Sequence, residues 1–289
     1  MNAARSLLLL LIVLTAWPAW SQTLIVIPAE SPLTHEFIAQ IADESPLAPF
    51  QIDTLAEADL NSAPERIITL GQDALNWRLQ QTSNIPTMAL YINRRQLPET
   101  RPDWLQVMLS SPDPRRQARL AKALVPRLGN IGLLYTQDSA DQLPLWQTAA
   151  AVANLQLVGR LWNPDSPITR PLTELLESSD ALIALDDPAI WNADQLKTIL
   201  LTSYARNRVI IGPAAPFVDA GSLGTTYSTP MDMALSTRRR FSQPWQPGAV
   251  FYPTEFSLRT NAQVARSLSL PLPDNAALLD RLKAEESAP

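Results

Sequence analysis

The chain alternates short apolar runs with segments whose apolar residues recur at helical spacing. Eight runs of three to five residues are rich in Val, Ile and Leu, at positions 24–27, 66–70, 86–90, 105–109, 131–135, 155–158, 181–185 and 209–211. Most of them are apolar throughout instead of alternating with polar residues. That pattern is typical of strands buried on both faces of a parallel sheet, between two layers of helices.

The segments between these runs carry the three- and four-residue spacing of amphipathic helices. Apolar side chains share one helix face in three of them: Leu33, Phe37, Ile38 and Ile41 in the first, Leu120, Leu124 and Leu128 in the second, and Leu196, Ile199, Leu200 and Tyr204 in the third. Repeated strand, helix, strand units predict right-handed crossovers. The predicted fold class is therefore α/β, with doubly wound parallel sheets.

Several predicted turns place a capping side chain directly before a proline: Ser31-Pro32, Ser111-Pro112, Asp187-Pro188 and Thr229-Pro230. A hydroxyl or carboxylate at the N-cap accepts hydrogen bonds from free helix N–H groups, and proline at the first helical position loses nothing. Asn192, with Gln195 three residues on, resembles a capping box, and Asp187-Pro188 then fits a turn before that helix. These caps either only begin helices or also place helix N-termini at a ligand crevice, at the carboxyl ends of the strands.

The polar, proline-rich stretch near 108–114 separates two series of strands. Further changes of pattern near 227–233 and across 251–259 predict that the chain crosses between two lobes three times. We expect an N-terminal lobe of residues 22–110, completed by about 229–252, and a C-terminal lobe of residues 111–228, completed by about 253–289. Three such crossings form the hinge of a two-lobed binding protein.

The N-terminus has the pattern of a secretory signal peptide. Arg5 precedes an unbroken apolar run at 7–14, and small residues stand at Ala19 and Ser21. A spanning helix needs about 20 apolar residues, and Pro18 interrupts this segment early. We therefore expect residues 1–21 to be cleaved near Ser21, which predicts a periplasmic protein. No Cys stands at the cleavage point, so a lipoprotein is excluded.

Composition narrows the class further. Removal of residues 1–21 leaves 268 residues with 22 basic and 28 acidic side chains, a net charge of −6. The chain has no basic patch and no RNA-binding aromatic motif, so nucleic acid is not an expected partner. Because it contains no cysteine, disulfide frameworks and thiolate metal sites are excluded.

Enzyme signatures are missing from the sequence. There is no Gly-x-Ser-x-Gly elbow, no P-loop and no Gly-x-Gly-x-x-Gly after a strand. His35, the only histidine, lies at the start of the first helix and is favoured as a solvated residue over a catalytic base or ligand contact. Asp186-Asp187 is an acidic pair at a strand end, for which a helix cap is favoured over a calcium or magnesium site. We expect no enzyme, no cofactor and no metal.

Four stretches, taken in order and spacing, resemble one known family. They are NIGLLYTQDS at 130–139, SDALIALDDPAIWN at 179–192, the run ILLTSYARNRVIIGPAAPFVDAGSLG at 199–224, and FSLRTNAQVARSLSLPLP at 256–273. The chain resembles the extracytoplasmic substrate-binding proteins of ABC transporters whose characterised members bind aromatic amino acids. The resemblance covers most of the chain and is strongest from Asn130 onward. It implies a type I periplasmic-binding-protein fold.

The first half departs from this family at its ligand loops. Where the family has a Gly-Thr-Pro-like loop with hydroxyls for a ligand carboxylate, this chain has Gly71-Gln72-Asp73-Ala74, and Asp73 would repel a carboxylate. The family's Val-Thr/Ser-Asp-Pro turn is replaced by a segment at 89–95. Arg94 or Arg95 there either neutralises an anion or, the favoured interpretation, forms a surface charge pair. The resemblance therefore implies the fold, and leaves the amino-acid ligand open.

The predicted function is that of a periplasmic solute-binding protein, which closes two lobes on a small ligand and delivers it to the permease of an ABC importer. The alternative is a periplasmic sensor or adaptor, with a degenerate cleft, that engages a receptor or membrane protein. Trp146 and Trp191 are either pocket residues or, by default, packing residues. The predicted ligand-binding residues are Glu30, Ser31, Gly71, Gln72, Tyr91, Tyr135, Ser139, Asp187, Pro213, Phe217, Tyr227 and Ser228.

Overall fold

The computed structural model describes residues 22–43 and 47–287, and the predicted signal peptide lies outside them. The strands are β1 (Thr23–Ile27), β2 (Phe50–Thr54), β3 (Arg66–Leu70), β4 (Thr87–Ile92), β5 (Leu105–Leu109), β6 (Asn130–Tyr135), β7 (Gln156–Leu161), β8 (Ala181–Ile183), β9 (Val209–Ile211), β10 (Gly224–Tyr227), β11 (Val250–Phe251) and β12 (Ser257–Thr260). Between positions 22 and 43 and from 47 to 287, no helix is both long and apolar enough to cross a membrane.

The helices alternate with these strands along most of the chain. They are α1 (Pro32–Ala42), α2 (Gly71–Leu79), α3 (Pro114–Leu124), α4 (Leu143–Val152), α5 (Thr169–Glu177), α6 (Ala193–Tyr204), α7 (Ala215–Ala220), α8 (Pro230–Phe241), α9 (Ala262–Ser267) and α10 (Asn275–Ser287). Two 3-10 turns, Arg94–Gln96 and Gln137–Gln142, follow β4 and β6.

The strands form two six-stranded sheets. The first has the order β11-β5-β4-β3-β1-β2 and is parallel throughout. With α1, α2 and α8 it makes the first lobe. The second has the order β12-β10-β9-β8-β6-β7 and is parallel except for β12, which pairs antiparallel with β10 at the edge. With the remaining helices it makes the second lobe, and the predicted two-lobed α/β class is confirmed.

Both faces of the central strands are buried, as the continuous apolar runs predict, whereas the edge strands β2 and β7 are partly exposed. In β1, Leu24 and Val26 pack on the side of α2, whereas Ile25 and Ile27 pack on the side of α1. Successive side chains of a strand point to opposite faces, so an unbroken apolar run is needed when helices cover both. This arrangement exposes the loops at the carboxyl ends of the strands, where the candidate site lies.

The chain passes between the two lobes at three places. It leaves the first sheet after β5 through 110–113, returns after β10 through 228–229, and leaves again after β11 through 252–256. Helix α8 follows the second connection and packs on α1, in the first lobe. The two lobes are therefore joined by three neighbouring segments, in the manner of a hinge.

Helix starts partly match the predicted caps. Ser31 and Thr229 cap α1 and α8, each with a reciprocal bond from a residue three positions on. Ser111-Pro112 does not begin a helix. Helix α3 begins at Pro114, and its cap is Asp113, whose carboxylate accepts a hydrogen bond from the Arg115 N–H. Asp187-Pro188 is a turn, and Asn192 caps α6 by accepting from two backbone N–H groups.

Candidate ligand-binding cleft

Side chains from the two lobes meet at the carboxyl ends of the strands. The turn after β4 supplies Asn93 and Arg95 from the first lobe. The Asn93 amide donates to the Asp186 carboxylate of the second lobe. Arg95 donates to Asp187 Oδ1 over 3.2 Å and to Asp138 Oδ2 over 3.1 Å. These bonds define one end of a cleft between the lobes.

The first-lobe wall of the cleft is an apolar pocket of about 210 Å³. Loops after β1, β3 and β4 supply its lining, which is Pro28, Ser31, Leu33, Thr34, Leu70, Gly71 and Tyr91. The predicted site residues Ser31, Gly71 and Tyr91 are thus brought together. Leu33 adds an apolar surface to this pocket. The helical spacing predicts that Leu33 lies on the core face of α1, but this residue is 67% exposed.

Tyr91 reaches this pocket through an irregular backbone. Its φ is +58°, in the left-handed region, and the β4–β5 pairing shifts register between Leu90 and Ile92. Such a bulge re-aims a side chain, at a cost of about 1–3 kcal/mol for a non-glycine residue held in a sparsely populated region. The ring packs edge-on against Phe37, with 5.9 Å between centroids. Burial, with lesser effects of Glu36 and Asp232, raises the pKa of Tyr91, so its hydroxyl stays protonated.

The second-lobe wall is a pocket of about 280 Å³ that adjoins the first hinge connection. Its lining is Ser110, Ser111, Asp186, Asp187, Pro188, Trp191, Pro213, Ala214 and Phe217, which unites three predicted site residues, Asp187, Pro213 and Phe217. The rings of Trp191 and Phe217 meet edge-to-face with centroids 6.1 Å apart. Trp191 is 7% exposed, and its indole N–H has no hydrogen-bond partner among the described residues.

The buried carboxylate of Asp187 accepts four hydrogen bonds. Its Oδ2 accepts from the hydroxyls of Thr136 and Ser139, each over 2.6 Å. Its Oδ1 accepts from the Ala189 N–H over 3.0 Å and from Arg95. Because both oxygens are occupied, Asp187 holds the loops after β6 and β8 together beneath the pocket. The predicted residue Ser139 belongs to this support and is itself buried.

Asp186 has a different environment from its neighbour. Its hydrogen bond from Asn93 comes from the opposite lobe. Burial and then the charge of Asp187 raise the pKa of Asp186, against a smaller lowering by Arg95. Asp186 also lines a cavity of about 10 Å³ together with Trp146, whose indole N–H likewise has no hydrogen-bond partner in the described part of the chain. Asp186 is therefore a desolvated carboxylate at the pocket surface.

Two further predicted residues lie at the first-lobe rim. Glu30 is exposed, and its carboxylate lies 3.9 Å from His35 Nε2. Gln72 donates from its amide to Asn76 along α2, over 2.9 Å. Neither is among the residues that line the two pockets.

The last three predicted residues lie apart from the pockets. The ring of Tyr135 lies against Gly159 of the neighbouring strand, where an added Cβ would come within 3.2 Å of it. Tyr227 ends β10, and Ser228 follows in the second hinge connection. The Ser228 hydroxyl donates to the carbonyl oxygen of Glu255, in the third connection, over 3.2 Å. Ser228 therefore ties two hinge segments together.

The sequence does not predict the bridge between the lobes. The favoured interpretation of Arg95 is a surface charge pair, whereas its partners are Asp138 and Asp187, across the cleft. Asn93 had no signal of its own beyond its place after a strand. Among residues 22–43 and 47–287, no group of three or more His, Cys, Asp or Glu side chains is placed to hold a metal ion.

Comparison with known proteins identifies the fold. No protein-family model and no curated protein matches the chain. A ligand-free, open substrate-binding protein with adhesive properties from Clostridium difficile superposes with a TM-score of 0.66, 13% identity, and coverage of 88% of this chain and 97% of that one. An ABC domain in complex with L-Trp from Streptococcus pneumonia gives a TM-score of 0.53, 17% identity, and coverage of 90% and 97%.

A third solved structure, a conserved domain protein from Vibrio cholerae, gives a TM-score of 0.53, 17% identity, and coverage of 90% and 98%. These chains match over nearly their whole length, although few residues are identical. The chain therefore has the fold of ABC-type substrate-binding proteins, in the type I periplasmic-binding-protein arrangement that its sequence resembles.

Proposed function

We propose that this protein is a periplasmic solute-binding protein that closes its two lobes on a small ligand and delivers it to the permease of an ABC importer. The observation that carries the proposal is the pair of pockets, one on each lobe, at the carboxyl ends of the strands. Tyr91 of the first pocket is two residues from Asn93, which bonds to Asp186 of the second. This contact supports one cleft bounded by the two pockets, and we propose that the protein binds a ligand without transforming it.

The hinge supplies the mechanism. We take the connections at 110–113, 228–229 and 252–256 as the lobe boundaries. A ligand that contacts both walls has more interactions in the closed form, and only this difference in affinity shifts the equilibrium toward closure. A closed form with both rims aligned is the state a membrane permease would recognise. L-Trp in the Streptococcus protein supports a small organic ligand, amino-acid-like or another metabolite.

A ligand screen tests this function. Chain 22–289 is screened by thermal shift against amino acids, amines, short peptides and sugars, and hits are measured by titration calorimetry and small-angle scattering. We expect at least one compound to raise the melting temperature and to reduce the radius of gyration. A screen without any stabilising compound, under conditions where a known binding protein responds, contradicts the proposal.

A matched pair of variants places the ligand. Leu33, at the N-terminal end of α1, and Leu201, in the C-terminal part of α6, are both exposed leucines, at 67% and 58%. Leu33 lines the first-lobe pocket, whereas Leu201 lies on α6, away from it. Leu33→Asp should weaken ligand binding at least tenfold, because a carboxylate in the pocket must be desolvated when a ligand covers it. Leu201→Asp should bind as wild type.

The bridge between the lobes favours a second candidate, a sensor or adaptor that binds a protein partner. Arg95 already spans the cleft to Asp138 and Asp187, so the chain's own side chains hold the lobes together. Under this alternative, scattering of the ligand-free protein equals that of a closed form, and no small molecule changes it. An open form that closes with a ligand rules it out.

A further inference from the structure

No side chain that lines the first-lobe pocket holds a carboxylate. The side chains that line it are apolar, hydroxyl-bearing or absent, and none carries a positive charge. Its two aliphatic hydroxyls are committed to the start of α1, where Ser31 and Thr34 bond to each other and to each other's backbone N–H. Tyr91 adds an aromatic ring with a protonated hydroxyl. This wall therefore suits the uncharged, apolar part of a ligand.

The two arginines that follow this wall, Arg94 and Arg95, line neither pocket. Arg95 donates to two carboxylates of the second lobe, at 3.1 and 3.2 Å. Arg94 Nε has no hydrogen-bond partner among the described residues, but Arg94 is not among the residues that line either pocket. A ligand carboxylate would have to compete with Asp138 and Asp187 for Arg95, and it would leave one of them without its cation. Such a competition is unfavourable, because Asp187 is fully buried.

The second-lobe pocket has the opposite chemistry. Asp186 presents a carboxylate that accepts from the neutral amide of Asn93, and the charge of Arg95, which also acts on Asp186, is shared with Asp138 and Asp187. The rings of Trp191 and Phe217 line the same pocket, and aromatic rings attract cations through the negative charge of their faces. The Trp191 side chain is more than nine-tenths buried, and its indole N–H has no hydrogen-bond partner among the described residues. A ligand atom that accepts a hydrogen bond from this N–H would satisfy it.

We infer that the cleft selects organic amines without a free carboxylate, an inference that rests on the proposed function. The ammonium group binds Asp186 beside the Trp191 and Phe217 rings. The apolar part of the ligand lies on the first-lobe wall, at Leu33 and Tyr91. A neutral acceptor, such as an amide or hydroxyl oxygen, accepts from the Trp191 indole. A free amino acid binds less well, because its carboxylate meets acidic side chains and no cation among the residues that line the two pockets.

Compounds that differ only in charged groups test this selectivity on chain 22–289. One series is L-tryptophan, its amide, tryptamine and indole-3-propionate; the other is L-leucine, its amide, isoamylamine and 4-methylpentanoate. In titration calorimetry, the amines and amides of at least one series should bind at least tenfold more tightly than the amino acid, about 1.4 kcal/mol. The carboxylates that lack an amine should not bind.

Two variants with the same loss of charge locate the effect. Asp186→Asn should weaken amine binding at least tenfold, because it removes the charge that holds the ammonium group. Asp141→Asn removes an exposed carboxylate from the same lobe, outside both pockets, and should bind amines as wild type. Equal amine binding by Asp186→Asn and wild type overturns the inference, as does tighter binding of an amino acid than of its amine. If only neutral or anionic compounds bind, this inference fails while the proposed function stands; if nothing binds, both fail.

Discussion

The guanidinium of Arg95 in the first lobe donates to the buried carboxylate of Asp187 in the second, with 3.2 Å between Nη1 and Oδ1. The Arg95 side chain is 27% exposed and that of Asp187 is fully buried, so the pair is only partly screened by water. The two residues are 92 positions apart in sequence and belong to different lobes. The bond therefore forms only when the lobes are near each other, and it opposes opening of the cleft.

Arg95→Ala should open the ligand-free protein. The variant loses both bonds across the cleft from this side chain, and the lobes remain joined by the hinge and by the Asn93–Asp186 bond. We expect a larger radius of gyration by small-angle scattering and a loss of about 1.5 kcal/mol in the free energy of unfolding. Arg115→Ala, which removes an exposed arginine at the start of α3, is the control. Unchanged scattering of Arg95→Ala would show that the bridge does not restrain the lobes.

Asp187→Ala should cost more than Arg95→Ala. The Thr136 and Ser139 hydroxyls and the Ala189 N–H lose their acceptor in a buried site, and Arg95 loses a partner. Buried donors without acceptors cost about 1–3 kcal/mol each, partly recovered by water and by neighbouring bonds, so a total loss near 3 kcal/mol is expected. Urea unfolding measures it. A loss below that of Arg95→Ala would contradict the central role of Asp187.

Asp186→Asn should stabilise the ligand-free protein in a pH-dependent manner. Burial and the charge of Asp187 raise the pKa of Asp186 in the folded state. Because the unfolded chain then ionises more readily, the wild type loses stability as pH rises from about 4 through the folded pKa. The asparagine has no such loss, so its advantage should be absent near pH 4 and present near about pH 7.5.

Urea unfolding at both pH values measures this difference, and Asp141→Asn corrects for the loss of one negative charge. An advantage for Asp186→Asn that is equal at the two pH values would contradict a titration of Asp186. Gain of stability with loss of amine binding is the pattern expected when a binding site keeps a group in an unfavourable environment.

The sequence predicts those strands whose buried residues are mostly apolar. The runs at 66–70, 105–109 and 209–211 coincide with β3, β5 and β9. Strand β2 was missed because it lies half-buried at a sheet edge and alternates apolar with polar residues. Strand β10 has no apolar run, because its buried residues include Thr225 and Thr226, whose hydroxyls are satisfied by hydrogen bonds. Gln117 of α3 bonds to both Thr225 and Thr226, a long-range pairing that no local period records.

The candidate site is predictable at the level of loops and not of contacts. Strand ends identify the loops of Ser31, Gly71, Tyr91 and Phe217, since parallel strands bring their carboxyl ends to one edge. The left-handed backbone at Tyr91 depends on a register shift between two strands. The bridge of Arg95 depends on how two lobes sit together, which periodicity within either lobe cannot specify.

Arg116, on α3, forms hydrogen bonds to both the third hinge connection and α10. Its guanidinium makes two bonds to the Glu286 carboxylate of α10, at 2.6 and 3.0 Å, and one to the Pro253 carbonyl at 3.0 Å. It also lies over the ring of Phe256, 3.7 Å from the centroid. The side chain is 3% exposed. A planar group with several donors is needed for all of these contacts at once, and the lysine ammonium cannot reproduce them.

Arg116→Lys should therefore lower the free energy of unfolding by about 2–3 kcal/mol. Arg119→Lys is the matched control one turn along α3, because Arg119 lies 3.9 Å from Glu285 in a more exposed pair and should lose less than about 0.5 kcal/mol. Urea unfolding compares the two variants under one condition. Equal free energies of unfolding for the two variants would show that the Arg116 guanidinium does not stabilise the packing of the third connection against α10.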